Sequence, residues 1–244
     1  MAWNGIINKH LPFAAELDGE ERIRWLRDLK VFAWEKNFEG LGLDVTDEMR
    51  VVISGCAARL SRNIGLGVFD DLSSVLLCPS TIALPCAEVD AHVRHDSVEP
   101  VQGVHFSRGA VLLAWDAVLE GVQDPHDGHD VALHELAHVI DAADGAYDGT
   151  PPLRGAAEVR AWADVFAESF LRLRAEADEP TSSAGAHPLH ADAAIDEAEF
   201  FAVATEMFFE CPHALRQHEP QLYAELCKYF GLEPLTERDV EAPQ

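Results

Sequence analysis

The sequence predicts an α+β fold in which a small mixed sheet is accompanied by several helices. Apolar residues recur at helical spacing in several segments, and two short runs of branched apolar residues have the composition of strands. A chain of 244 residues can also bury one substantial core. We therefore expect a single domain over 1–244, with residues 1–10 and 233–244 frayed.

The first half of the chain is predicted to hold two helices followed by strands. Asp18 can cap a helix over 18–36, on which Ile23 opens an apolar stripe, and Thr46 can cap the next helix. The runs at 73–78 and 110–115 are then predicted as strands. We expect the second of these strands to form a sheet edge on which an extended peptide can pair.

The second half is predicted to be helical. A helix over 131–143 can be opened by Asp127 or Asp130 and closed around Gly145. Three further helices are predicted over 155–177, about 196–210 and 219–230.

The net charge of the chain limits the classes of partner that it can bind. Acidic residues outnumber basic ones 43 to 18, which gives a formal net charge of -25 at pH 7. Such a field repels phosphate backbones and anionic lipid headgroups. We therefore expect neither nucleic acid nor a membrane surface as a partner.

The composition indicates neither export nor membrane insertion. The N-terminal residues lack a basic region followed by an apolar one, and no stretch approaches the ~20 apolar residues of a membrane span. Five cysteines form an odd set without a CxxC pair, which suits reduced thiols. A cytoplasmic location is expected.

The segment His134-Glu135-Leu136-Ala137-His138 has the spacing of a zinc site. Histidines at positions i and i+4 lie on one helix face, so both imidazoles can bind one ion. Glu135 suits the role of general base, taking a proton from the water that the metal activates. The apolar residues around the motif predict a buried helix, where these polar groups need a metal or hydrogen bonds. An ordinary helix with hydrogen-bonded histidines is the alternative.

A catalytic zinc needs a third protein ligand, and one downstream helix offers two candidates. Glu199 and Glu206 are seven residues apart and share a helix face, so one can bind zinc and the other can support a histidine. The spacing does not choose between them, and solvated glutamates are the alternative. Asp141, three residues after His138, can accept an imidazole N–H, or it can be an ordinary surface aspartate near a helix end.

The remaining histidines give weaker indications of function. They lie in loops or near helix ends, where histidine is usually solvated. We expect solvated side chains rather than a second metal site at the pairs His126 and His129, His92 and His95, His187 and His190, and His213 and His218.

Four segments together resemble the Mlc titration factor A family of bacterial zinc-dependent peptidases. They are HELAHVIDAADG, TDEMRVVI, VLLAWDAV and EFFAVATEMFFE, and the likeness runs from about Leu11 to Leu232. The resemblance implies a compact zincin-like fold, similar to the lethal-factor-type gluzincin catalytic domain, with a small mixed sheet beside the active-site helix. It also implies aminopeptidase activity on short peptides and, in some members, binding of a glucose-responsive transcriptional repressor.

Carried over position by position, the resemblance assigns zinc ligation to His134, His138 and Glu199 and catalysis to Glu135. Glu206 is then expected to support one of the ligands.

One position departs from the family pattern. Seven residues before the ligand glutamate, the family usually has a tyrosine that stabilises the oxyanion, whereas this chain has Asp192. A carboxylate cannot donate a hydrogen bond to a developing oxyanion. Either Tyr147 or His190 is expected to supply the donor in its place, or turnover is slow.

Two functions follow from the sequence. The first is a zinc-dependent peptidase, aminopeptidase-like on short peptides, with Glu135 as general base. The alternative is a regulatory binding protein that sequesters a transcriptional repressor and has weak or incidental peptidase activity, and Asp192 favours it. A zinc hydrolase with a non-peptide substrate is a third reading, because the motif fixes water activation and not the identity of the carbonyl.

Overall fold

The computed structural model describes residues 2–80, 82–83, 100–101, 103–106, 109–177 and 188–234. The chain groups into two compact units, Met1–Pro125 with Asp130–Val139, and His126–His129 with Ile140–Gln244. The expectation of a single domain stays a prediction. The fraying expected at 233–244 falls, from residue 235 onward, outside the described residues.

The first unit opens with three helices, α1 (Ala2–His10), α2 (Gly19–Glu35) and α3 (Asp47–Leu60). Both predicted caps are confirmed. The side chain of Asp18 accepts the N–H of Glu21 at 2.8 Å, and that of Thr46 accepts the N–H of Met49 at 3.3 Å. Helices α1 and α2 both pack on α3, whose buried stripe is the centre of this part of the core.

Two expectations for these helices differ from the structure. Residues 2–10 form α1 instead of fraying, because Ile7 and His10 are buried where α1 packs on α3. On α2, Ile23 is 69% exposed, so its predicted place on the apolar stripe is wrong. The buried face contains Trp25 instead, which donates a hydrogen bond to the carbonyl of Gly55 at 3.1 Å.

The sheet has four strands in the order β1 (Asn37–Gly40), β2 (Ser74–Cys78), β6 (Ala110–Ala114) and β5 (Gly103–Phe106). Strands β1, β2 and β6 are parallel, and β5 pairs antiparallel with β6. Two short strands, β3 (Ile82–Ala83) and β4 (Pro100–Val101), form a separate antiparallel pair. The prediction of a small mixed sheet among helices is therefore confirmed.

The expectation that 110–115 forms a sheet edge is wrong. Strand β6 is hydrogen-bonded to β2 on one side and to β5 on the other, so both of its backbone edges are occupied. Its side chains Val111 and Leu113 are fully buried. The strand ends at Ala114, and Trp115 begins a helix, α4 (Trp115–Gln123), that the sequence pattern did not predict.

The helix with the HELAH motif is α5 (Val131–Asp141), and its first residue packs near the sheet. Val131 contacts a small apolar cluster contributed by β2, β6 and α4. The buried members of this cluster are Cys78, Leu112, Ala114 and Ala117. The beginning of α5 is therefore held against the ends of two central strands.

The second unit contains α6 (Ala156–Ala177), α7 (Glu197–Glu210), α8 (Pro212–His218) and α9 (Pro220–Phe230). Its core is aromatic, with Trp162 and Phe166 of α6 stacked at 3.8 Å and Phe200 of α7 edge-on to Phe166. The three predicted helices are present, and α8 is an addition. Among the described residues, no helix is both long and apolar enough to cross a membrane.

Candidate metal centre

Helix α5 begins at a buried aspartate. Asp130 accepts hydrogen bonds from the backbone N–H groups of Ala132 at 2.9 Å and Leu133 at 3.0 Å. Of the two predicted caps, Asp130 is the one observed, whereas Asp127 accepts the N–H of His129 in the preceding turn. A capped first turn fixes the beginning of the helix, and so it fixes where the motif side chains project.

His134 and His138 point their imidazoles at each other from successive turns of α5. Their Nε2 atoms lie 3.1 Å apart, and their rings are nearly perpendicular, at 83° with centroids 4.7 Å apart. Two nitrogens bound to one tetrahedral zinc, each ~2.0–2.1 Å from it, are about 3.3 Å apart. The separation of the two Nε2 atoms is therefore close to that of two nitrogens on one zinc ion, and zinc binding by His134 and His138 stays a prediction.

Most residues of the HELAH motif and the apolar residues beside it are buried, as the sequence predicted. Leu133, Leu136 and Ile140 are fully buried, and Glu135 is only 6% exposed. His138 is 3% exposed, whereas His134 is half-buried. A carboxylate and an imidazole at this depth must be satisfied by hydrogen bonds or by a metal.

Glu199 lies in the first turn of α7. The side chain of Asp196 caps this helix by accepting the N–H of Glu199 at 2.9 Å, so the backbone of Glu199 is fixed. The side chain of Glu199 is half-buried, whereas that of Glu206 on the same helix is 3% exposed. The assignment of Glu199 as a zinc ligand stays a prediction.

Glu206 lies in a group with His129 and His190, all within the second unit. One ligand atom from each of the three lies within 4.8 Å of the other two. The two imidazole rings stack with centroids 4.2 Å apart and an interplanar angle of 24°. The sequence pattern placed His129 in a solvated turn. In the structure it lies next to His190 and Glu206, both of which were predicted to belong to the active site. The support that Glu206 is expected to give a zinc ligand stays a prediction.

Asp141 is fully buried at the end of α5, so its alternative reading as a surface aspartate is wrong. Its Oδ2 accepts the backbone N–H of Gly149 at 3.0 Å, and Trp162 Nε1 donates to the carbonyl of Gly149 at 3.0 Å. Gly149 has φ +75°, and a Cβ there would lie 2.2 Å from the carbonyl oxygen of Glu197. Asp141 therefore anchors the segment that packs against the first residue of α7. Its predicted support of a zinc ligand stays a prediction.

Two tyrosines of the second unit have different surroundings. Tyr147 is 43% exposed, and its role as an oxyanion donor stays a prediction, as does that of His190. Burial, followed by the negative charges of Asp141 and Asp144, raises the pKa of Tyr229 far above its ordinary value. Tyr229 is therefore a neutral phenol at physiological pH.

The two neighbouring imidazoles of α5, the buried glutamate that follows the first of them in the sequence and the mixed α and β architecture are those of a metallopeptidase-like protein. The chain belongs to the glucose-regulated metallo-peptidase M90 family, whose model matches residues 1–231. The resemblance to the Mlc titration factor A family is thus confirmed.

Individual relatives cover most of the chain. It is 31% identical to an uncharacterized protein of Synechocystis over 236 residues, which is 96% of this chain and 84% of that protein. The Mlc titration factor A of Cronobacter sakazakii is 28% identical over 231 residues, covering 92% and 84% of the two chains. That of Yersinia enterocolitica is 27% identical over 238 residues, covering 96% and 86%.

Proposed function

We propose that the protein is a zinc-dependent peptidase, aminopeptidase-like on short peptides. In this proposal His134, His138 and Glu199 hold one Zn²⁺ ion and Glu135 is the general base. The observation that carries it is the 3.1 Å separation of the two Nε2 atoms on α5. Membership of a metallopeptidase family supports the class of reaction. A cytoplasmic location is supported by the cysteines of the described residues, which are not joined in disulfides, namely Cys56, Cys78, Cys211 and Cys227.

The donor set is that of a catalytic rather than a structural zinc. Two imidazoles and one carboxylate leave a fourth position for water. Glu199 is proposed as the third ligand because it matches the ligand position of the family. The Asp196 cap supports this choice, because a ligand needs a rigidly held backbone.

Glu135 performs the proton transfers in the proposed reaction. When bound, zinc acidifies a water molecule and polarises the scissile carbonyl. Glu135 directly follows His134 in the sequence, and its carboxylate is buried on the same helix. It accepts the proton of the attacking water and then donates a proton to the departing amine.

Hydrolysis of aminoacyl-chromogenic substrates tests the peptidase proposal. We expect activity in the purified protein, loss of activity on chelation and recovery when Zn²⁺ is added back. The Glu135→Gln variant should lose about 10²- to 10⁴-fold in rate while keeping its zinc. Activity that survives metal removal, or that is undiminished in Glu135→Gln, would contradict the proposal.

A matched pair of variants tests the third ligand. Glu197 is an exposed residue of the same helix, two positions before Glu199. We expect Glu199→Ala to lose tightly bound zinc, whereas Glu197→Ala keeps it, as measured by metal analysis after dialysis. Equal zinc contents in the two variants would remove Glu199 from the ligand set.

A regulatory binding role is the second candidate, and relatives named Mlc titration factor A favour it. In this alternative the protein sequesters a transcriptional repressor, and its peptidase activity is weak or incidental. Asp192 supports it, because a carboxylate at that position cannot stabilise an oxyanion.

The test of the regulatory role is a pull-down from host lysate with immobilised Glu135→Gln protein. We expect a repressor to be retained and identified by mass spectrometry, because binding does not need the catalytic base. If no repressor is retained by either the wild type or the variant, the regulatory alternative fails.

A further inference from the structure

We propose that His129, His190 and Glu206 form a second metal site, which binds one divalent transition-metal ion of the zinc class. The three residues come from three separate segments of the second unit. His129 lies in the turn before α5, His190 directly precedes the 3₁₀ turn Ala191–Ala194, and Glu206 lies on α7. The site is separate from the peptidase zinc and does not depend on it.

The positions of the three side chains suit a common ion. Their ligand atoms lie within 4.8 Å of one another. The two imidazole rings stack nearly parallel, so one of them must turn before both can direct a ring nitrogen at one ion. Ligand atoms of one zinc ion, each ~2.0–2.2 Å from it, are about 3.3–3.5 Å apart. A side-chain rotation that turns one imidazole out of the stack, and moves the ligand atoms together by about 1 Å, closes the difference. Two imidazoles and one carboxylate are a donor set that zinc accepts.

Burial across the group runs from the interior to the surface. Glu206 is 3% exposed, His190 is half-buried and His129 is exposed. A carboxylate as deeply buried as that of Glu206 needs positive charge or hydrogen bonds close by. A bound cation adds positive charge beside this carboxylate, and exposed His129 leaves a route by which the ion can enter from solvent.

Asp192 fits the role of a residue that orients His190. Its Oδ2 lies 3.7 Å from Nδ1 of His190, beyond hydrogen-bond distance, so the carboxylate acts on this ring nitrogen through its charge. Metal-binding histidines usually present their second ring nitrogen to a carboxylate or a carbonyl. Asp192 therefore places a negative charge beside His190, which a tyrosine at this position would not provide.

The turn that carries His129 is held in place against α7. The Cys211 thiol donates a hydrogen bond to the carbonyl of His126 at 2.9 Å. Gly128 has φ +82°, and a Cβ there would lie 2.5 Å from the sulfur of Met207. The side chain of Asp127 also fixes the backbone N–H of His129 at 2.9 Å. These contacts keep His129 next to Glu206.

The two glutamates of α7 serve different ions in this proposal. Glu199 and Glu206 are seven residues apart, which corresponds to about 10.5 Å along a helix axis. One helix therefore contributes one carboxylate to each site.

Titration of the metal-free protein with Co²⁺ and with Zn²⁺ tests the second site. Co²⁺ binding is followed by absorption spectroscopy, and Zn²⁺ by metal analysis after gel filtration. We expect two ions per chain in the wild type and one in His129→Ala. The control, His126→Ala, removes an exposed histidine from the same turn and should keep both ions. Asp192→Asn should weaken the second ion about 10- to 100-fold.

The outcome separates this proposal from the peptidase proposal. His134→Ala should remove the ion that His129→Ala keeps. If the α5 histidines bind no metal, His134→Ala leaves the number of ions unchanged, and His129→Ala still lowers it by one. Wild-type protein that lacks an ion dependent on His129, or folded His129→Ala that keeps the wild-type number, overturns the second site. Circular dichroism shows whether each variant is folded. Glu206→Gln provides a second variant, which should also bind one ion fewer than the wild type.

Discussion

The histidines of α5 and the histidines around Glu206 are brought together in different ways. One continuous helix supplies both His134 and His138, so a spacing of four residues is enough to align them. His129 and His190 are 61 positions apart, the difference between 190 and 129, and only the packing of a turn and a 3₁₀ segment around α7 unites them. A site within one helix can be read from a sequence, whereas a site made by tertiary packing cannot.

The largest effect is expected from His138→Ala. The variant should lose the α5 ion, and peptidase activity should fall more than about 10³-fold, because several kcal/mol of transition-state stabilisation is removed. The exposed His218 gives the control, and His218→Ala should behave as the wild type. If His138→Ala also lost the ion bound at His129, the histidines of α5 and those around Glu206 would form one site instead of two.

Metal binding should stabilise the fold in two separable steps. At a free concentration of Zn²⁺ 100 times the dissociation constant, each site adds about 2.7 kcal/mol to the free energy of unfolding. We expect His134→Ala and His129→Ala each to lose one of the two increments in urea denaturation with and without Zn²⁺. Loss of both increments in either single variant would show that the sites are coupled.

A moderate effect is expected from the cap of α5. Asp130→Ala removes the acceptor of two N–H groups and should lower the free energy of unfolding by about 1 kcal/mol, within a range of ~0.5–2. Asp127→Ala, which affects the turn of His129 instead, should weaken the second ion and leave α5 intact. Urea denaturation and Co²⁺ titration of both variants check this. If the two variants behave alike, the two aspartates do not act on separate sites.

The smallest effect is expected from Tyr229→Phe. The Tyr229 hydroxyl has no hydrogen-bond partner among the described residues, so its removal should change the free energy of unfolding by less than about 0.5 kcal/mol. Both metal sites should keep their affinities. A loss of more than about 1 kcal/mol would show that the phenol contributes to the end of α5 near Asp141 and Asp144.

Local patterns predicted the parts of the fold that depend on neighbours in sequence. The caps at Asp18 and Thr46, the strand at 73–78 and the buried helix with the HELAH motif are all present. Each depends on a hydrogen bond to a residue within one helical turn or on a continuous apolar run, and both kinds of signal are visible in the sequence.

The expectations that failed concern contacts between distant segments. Ile23 was placed on the apolar stripe of α2, but the buried face of the helix passes through Trp25, whose indole N–H donates to a carbonyl of α3. Strand β1 was not among the predicted strands, and its four residues pair with β2 in parallel register. The sequence around His129 did not indicate a metal ligand. Its partners are 61 and 77 residues further along the chain, at 190 and 206, so no local spacing connects them.

Gly149 shows that a position without a side chain can matter as much as a histidine. Its N–H and carbonyl are bound by Asp141 and Trp162, and its α-carbon lies against the carbonyl of Glu197. Any larger residue there would displace the beginning of α7, and with it the backbone of Glu199. A genetic screen for inactive variants should therefore recover substitutions of Gly149 together with those of the motif. Such variants would keep every residue of the motif but would hold Glu199 in the wrong position. A compensating substitution that moves α7 back should restore their activity.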